Sequence, residues 1–371
     1  MKMTVERKMF FLLALAVSLI AILTVGASAP KAAAEKPIVL RVAAYMPEDA
    51  PTCVVDKWWM QEVERRTNKA VKFEYYPAGA LLKAPELLPG VKKGLVQVGG
   101  STAPGYHPSI FRLYKITESL LLTEDPTAFM RAYMKLLETT PELRDEFNRE
   151  GAHVLYTPSL TTMLFATKKK VTKMDDLKGL KIRAVGVKTK LIHDLGAVPV
   201  ALTPPEVYDA LNKGVIDGVS VLDFGSLYSY KLSEVLPYVI DTGFGVYATL
   251  VTVMNIDTWR GLPGKIQEEM TEVNARAADK FGEIIMELER RSLDSIKAAK
   301  GQIIRLAPDE KARWATVAKR VMWEGWIKEG KALGVPGEEW LDRFHKLCKE
   351  YEKGSKYRSV YDVWEKEYLK K

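Results

Sequence analysis

Beyond Pro263 the chain carries no proline until Pro308, and beyond Gly264 its only glycine before Gly301 is Gly282. Within that stretch Ile266, Met270, Val273, Ala277, Phe281, Ile284 and Leu288 recur at intervals of four, three, four, four, three and four. This keeps one apolar stripe on a helical period. The reading is a single amphipathic helix over 263–300, with Pro263 near its first turn and Gly301 at its end. Helices of that length are rare within one globular layer. One that is neither a coiled coil nor a membrane span is expected to run across two domains as a brace.

The N-terminus reads as a secretory leader. Lys2, Arg7 and Lys8 precede the uncharged apolar run Met9–Val25, and Ala32-Ala33-Ala34 offers an Ala-x-Ala cleavage site. The run is slightly short for a spanning helix, and no Cys follows it to take a lipid. Residues 1–34 are therefore assigned as a signal peptide, with a mature start near Glu35 and a periplasmic or extracytoplasmic location. At about 150 residues per domain the remainder holds two domains. The net charge of +8 is modest and spread along the chain, so no nucleic-acid partner is expected. Cysteine occurs only at Cys53 and Cys348 and histidine four times, which disfavours a disulfide scaffold, Cys-rich clusters and zinc sites. Phosphate-binding glycine loops and the Gly-x-Ser-x-Gly elbow are missing from the sequence. No cofactor and no metal are expected, and no enzymatic constellation is evident.

Along the chain, Ile38–Tyr45, Val71–Tyr76 and Leu95–Gly99 read as strands separated by helices at 52–67 and 85–93, the last strand stopped by Gly99-Gly100. This order implies right-handed crossovers and a mostly parallel sheet. The style then repeats: 151–156, 163–167, 180–185, 198–202 and 219–222 look extended, with helices at 188–195 and 205–212. A β-rich stretch, 247–255, precedes the long helix.

Several pieces of this order resemble a known family. They are Tyr45-Met46-Pro47; Tyr76-Pro77-Ala78-Gly79; Asp176-Leu177-Lys178-Gly179-Leu180-Lys181-Ile182-Arg183; Gly196-Ala197-Val198-Pro199-Val200; Glu206-Val207-Tyr208 through Asp217-Gly218; Lys231-Leu232 with Glu234-Val235; and Met254-Asn255 with Trp259. In this order and spacing, over about Ile38 to Ile304, the chain is similar to the solute-binding proteins of TRAP transporters, the DctP-like type. The resemblance implies an α/β, two-lobed periplasmic-binding-protein-like fold (type II) with hinge strands and a long helix spanning both lobes. Lobe I would comprise 35–157 and 247–285, lobe II 158–246 and 286–371. It implies capture of a small organic acid in the interlobe cleft and delivery to TRAP membrane subunits. An exported ligand sensor feeding a receptor, and an exported hydrolase, remain the alternatives. The oligomeric state is left open, as is pairing of Cys53 with Cys348.

By that resemblance Arg183 forks onto the ligand carboxylate. Guanidinium presents parallel donors matched to a carboxylate, and a strand end before Gly186 suits the mouth of an α/β sheet. The alternative is a surface Arg paired with Asp175 or Asp176. A second family Arg is replaced by Met163, a carboxylate-contacting Asn is lost from Val219-Ser220-Val221-Leu222, and Pro204 stands where a Phe is common. These departures favour a monocarboxylate with an apolar or aromatic body over a compact dicarboxylate. Tyr76, Tyr106 and Tyr247 are candidate pocket walls, Ser101 a candidate donor, and Asp223 a candidate partner for a hydroxyl, amine or cation.

Overall fold

The computed structural model describes residues 36–369. The expected leader and its cleavage site lie outside those residues. The strands in chain order are β1 (Ile38–Ala44), β2 (Val71–Tyr76), β3 (Val98–Thr102), β4 (Ala152–Tyr156), β5 (Ala166–Thr167), β6 (Lys181–Arg183), β7 (Val198–Val200), β8 (Gly218–Val219), β9 (Tyr238–Asp241), β10 (Val251–Asn255) and β11 (Gln302–Arg305). The helices are α1 (Pro51–Arg66), α2 (Leu87–Lys92), α3 (Pro126–Thr139), α4 (Pro141–Arg149), α5 (Lys188–Asp194), α6 (Val207–Asn212), α7 (Ser226–Ser229), α8 (Ile256–Gly261), α9 (Gly264–Ala298), α10 (Pro308–Ala318), α11 (Glu324–Ala332), α12 (Gly337–Glu352) and α13 (Val360–Val363). Pro51, Pro126, Pro141 and Pro308 each open a helix, where the missing N–H costs nothing. Asp125 caps α3 by accepting from the backbone N–H of Thr127 at 2.8 Å and of Ala128 at 3.1 Å.

Two sheets result. The first has the order β2-β1-β3-β10-β4 and the second β11-β9-β5-β8-β6-β7. β1 and β3 run parallel, but β10 is antiparallel to both its neighbours. The second sheet is also mixed: β6 is parallel to β7 and β8, and β5 is antiparallel to β8 and β9. The expectation of a mostly parallel sheet thus fails where a strand enters from the opposite sheet. β9 and β11 escaped the sequence reading, each being a four-residue run beside turn residues. β3 continues through Gly99 and Gly100 instead of stopping there. A Cβ on Gly100 would lie 2.8 Å from Asp56 Oδ2, so glycine admits α1 close to the strand.

Side-chain alternation explains the second sheet's two buried faces. Met163 and Phe165 pack with Leu191 and Trp314, whereas Leu164 and Ala166 pack with Val239 and Trp364. Three neighbouring segments pass between the sheets. Ser159 bridges Thr249 and Thr162 bridges Val246, while Leu121 N–H donates to Phe244 O at 2.8 Å and Val246 N–H to Thr123 O at 2.9 Å.

α9 has 35 residues, about 50 Å at 1.5 Å per residue. It packs first on α1 and α3, then on α7, and delivers Leu293 and Ile296 to the second lobe's core. Its buried stripe follows Ile266, Met270, Val273, Ala277 and Phe281 as expected. It then shifts to Ile285, Glu289 and Leu293, leaving Ile284 and Leu288 half-buried. The shift accompanies the passage from one core to the other.

One expected boundary needs correction. Residues 286–371 are expected in the second lobe, but Trp326, Trp340, Phe344 and Cys348 join the first lobe's core beside Phe129 and Tyr133. The later residues Val360, Tyr361 and Trp364 do join the second lobe's core. Cys53 and Cys348 are both buried free thiols. Burial pushes the Cys53 thiol up to about 12, which leaves it unreactive at neutral pH.

Candidate functional site

Arg183 closes β6, and its side chain turns inward with only 3% of the residue exposed. Nε donates to Leu202 O at 3.0 Å, and Nη1 to Ser220 O at 3.3 Å and Val221 O at 2.5 Å. Val221 holds φ at +58°, a costly conformation for a β-branched residue, which helps place that carbonyl. Three carbonyls therefore fix the guanidinium plane, and among the described residues no carboxylate neutralises it. Asp176 is occupied by the Thr172 and Lys173 backbone, and Asp175 stands 3.9 Å from Arg313, so the surface-pair alternative does not hold. Burial pulls the Arg183 pKa down because its charged form is desolvated.

A cleft of 570 Å³ opens in front of Arg183. Val185, Gly186, Leu202 and Pro204 wall it on the second lobe, and Ala103, Gly105 and Tyr106 face them from the first. A larger hollow of 720 Å³ lies at the α11–α12 corner, but its charged liners Lys331, Glu338, Glu339 and Asp342 are all exposed, so nothing there is poised for a ligand.

Further groups gather around Tyr247, which is 7% exposed and lies within reach of both the Asp223 and the Arg183 charge. Asp223 Oδ1 accepts from Thr161 N–H at 2.7 Å and from Thr161 Oγ1 at 3.2 Å, while burial pushes its carboxyl up. Lys188 opens α5 and is 4% exposed. Its Nζ sits 5.8 Å from the Tyr247 ring centroid and 3.8 Å from Glu118 Oε2, and burial lowers its pKa. Tyr45, from the first lobe, meets Tyr106 edge-on at 6.2 Å and is close enough to feel the Asp223 charge.

Arg183, Tyr106, Asp223 and Tyr247 thus come together from both lobes. The remaining candidates do not join them. Ser101 is fully buried and its Oγ donates to Asp56 at 2.6 Å, so its hydroxyl is already committed. Tyr76 lies at the outer edge strand of the first sheet with its hydroxyl 3.3 Å from Glu74. Met163 is sealed in the second lobe's core and bridges Asp223 through its backbone. The sequence reading missed Lys188 and Glu118. A lysine in the first turn of a short helix ordinarily reads as solvated, and only tertiary contacts, with Tyr247 and Glu118 among them, bury it. Tyr45 stood in a quoted motif, but its proximity to Asp223 is tertiary information. Among the described residues no group of three His, Cys, Asp or Glu side chains is placed to hold a metal ion.

Comparison with known proteins gives this arrangement a context. Residues 43–329 match the family described as "Bacterial extracellular solute-binding protein, family 7". The C4-dicarboxylate-binding periplasmic protein DctP of Rhodobacter capsulatus is 25% identical over 285 residues, covering 76% of this chain and 84% of that protein. A TRAP periplasmic solute-binding protein from Desulfovibrio salexigens superposes with a TM-score of 0.79 at 29% identity, covering 88% of this chain and 100% of that one. A marine metagenome TRAP solute-binding protein specific for aromatic acid ligands, in complex with metahydroxyphenylacetate, superposes with a TM-score of 0.73 at 26% identity, covering 85% and 99%. The chain belongs to the family 7 bacterial extracellular solute-binding proteins.

Proposed function

We propose that the protein captures a small organic acid in its interlobe cleft, outside the cytoplasmic membrane, and hands it unchanged to the membrane subunits of a TRAP transporter. The observation that carries this reading is Arg183, a buried guanidinium pinned by three carbonyls with no carboxylate partner among the described residues. A buried cation in that state is stabilised by an incoming anion, and Nη2, which carries none of these bonds, is left to donate to a carboxylate. The ligand's body is apolar or aromatic. Tyr45, Tyr106 and Tyr247 surround the site, Val185, Leu202 and Pro204 wall its mouth, and Met163 adds no second guanidinium. The aromatic-acid specificity of the metagenome relative supports the same body.

Closure brings the lobes together about the segments near 156–159 and 245–247, with α9 as the brace. The ligand must bind the closed form better than the open one. Screening benzoate, phenylacetate, lactate, pyruvate, succinate and malate by thermal shift, then calorimetry, tests the reading. An aromatic or apolar monocarboxylate should stabilise most, by about 4 kcal/mol at a thousand-fold excess over its Kd. Tightest binding of succinate or malate overturns the proposed body, and recovery of a chemically altered ligand overturns capture without chemistry.

A further inference from the structure

We infer that the ligand carries a hydrogen-bond donor, a hydroxyl or an ammonium, at the end remote from its carboxylate, and that Asp223 receives it. This rests on the assignment of Arg183 to the carboxylate. In the second sheet β8 separates β6 from β5. Arg183 ends β6, whereas Asp223 bridges Met163, which leads into β5. Asp223 itself lies on the chain that continues β8, four residues beyond Val219, which pairs with Arg183, so the two groups are anchored one strand spacing apart, about 4.8 Å across the sheet, and up to about 13 Å along it. Tyr247 stands between them, within electrostatic reach of both.

The Asp223 carboxylate is half-finished in hydrogen-bonding terms. Both Thr161 donors go to Oδ1. Among the described residues no cation pairs with Asp223 and no side chain or backbone group donates to Oδ2 within hydrogen-bond distance; the Tyr247 hydroxyl stands nearby. The residue nevertheless keeps some exposure, and Tyr45 of the first lobe and Tyr230 both feel its charge. A desolvated carboxylate with one oxygen still to be engaged favours a ligand that donates to it. A ligand ending in plain hydrocarbon would leave that oxygen unpaired on closure.

Calorimetry with matched pairs tests this: benzoate against 3- and 4-hydroxybenzoate, phenylacetate against 3- and 4-hydroxyphenylacetate, and benzoate against 4-(aminomethyl)benzoate. The expected result is at least tenfold tighter binding of a donor-bearing acid than of its plain parent. The hydroxyl and ammonium arms show which donor the site takes. Asp223→Asn should erase that preference, read as the ratio of the two Kd values, because removal of the negative charge tightens the parent acid at the same time. Equal affinities within every pair in the wild-type protein overturn the inference but leave the aromatic-acid reading standing. So does an equal loss for parent and donor-bearing acids in a folded Asp223→Asn. If none of these acids binds, the aromatic-acid reading falls and this inference falls with it.

Discussion

Lys188 Nζ lies 3.8 Å from Glu118 Oε2, and the two residues belong to opposite lobes: Lys188 opens α5 in the second, and Glu118 follows the first-lobe core residues Leu113, Tyr114 and Ile116. The pair is loose for an ion pair, and the lysine is nearly enclosed. Its positive charge therefore bears on the cleft as well as on Glu118. A cation about 8 Å from a bound anion is worth about 2 kcal/mol at an effective dielectric of 20. Lys188→Met should weaken binding of an acid ligand about tenfold or more. Glu118→Gln removes a competing negative charge and should act in the opposite direction, tightening it. Calorimetry on both variants checks the signs, and two changes of the same sign contradict the arrangement.

Asp56 is a buried carboxylate of the first lobe surrounded by three hydroxyl donors. It is 1% exposed and accepts from Ser101 Oγ at 2.6 Å, Tyr156 OH at 2.5 Å and Thr252 Oγ1 at 2.7 Å. The network ties α1 to β3, β4 and β10. Asp56→Ala strands three buried hydroxyls and should destabilise by about 1–3 kcal/mol or more. Urea denaturation measures it, and a loss within experimental error would show that the hydroxyls find other partners.

His153 stacks on Trp259 at 4.2 Å with ring planes 13° apart, and burial lowers its pKa from 6.5 to about 4. Between those values the unfolded chain takes up a proton that the folded chain refuses, so this contribution to stability is lost as pH falls from about 6.5 to about 4. At 1.36 kcal/mol per unit the effect is about 3 kcal/mol at most. Asp56, raised to about 6 by burial, acts with the opposite sign and loses stability as pH rises through that value. Comparing His153→Phe with the wild type isolates the histidine. The variant's melting temperature should fall less on acidification over this window, and parallel profiles would contradict the assignment.

Gly245 lies in a segment that crosses between lobes, with φ at +70°, and a Cβ there would collide with the Thr123 carbonyl oxygen. An alanine adds left-handed strain of about 1–2 kcal/mol to that collision. Gly245→Ala should therefore lower stability by about 2 kcal/mol or more, read by chemical denaturation. An unchanged midpoint would show that the 119–125 segment moves aside freely.

What the sequence revealed, and what it withheld, follows from range. α9 was legible because a helical period and its flanking Pro263 and Gly301 are local. So was the approach to Arg183, carried by a continuous stretch from Asp176. Ser101 looked like a free donor because its partner Asp56 is 45 positions away and reaches it only through tertiary packing. Met163 occupies a position where the family often places a cation, yet the alternation of β5 sends its side chain into the core. Lys188 was passed over because burial by tertiary contacts leaves no mark on a short helix. The first lobe's claim on 324–352 rests on Phe344 meeting Phe129 and Tyr133, contacts no local pattern announces.

The central claim is that Arg183 holds the ligand's carboxylate. Calorimetry of Arg183→Ala and Arg183→Lys, each checked for folding by ligand-free melting, tests it directly. Loss of one partner of a buried charged hydrogen-bonded pair costs about 2–5 kcal/mol, or roughly 30- to several-thousand-fold in Kd. The expected result is a loss of that size for Arg183→Ala and a measurable loss for Arg183→Lys, whose ammonium keeps the charge but not the planar fork. Near-wild-type affinity in a folded Arg183→Ala protein would contradict the claim and remove Arg183 from the binding site.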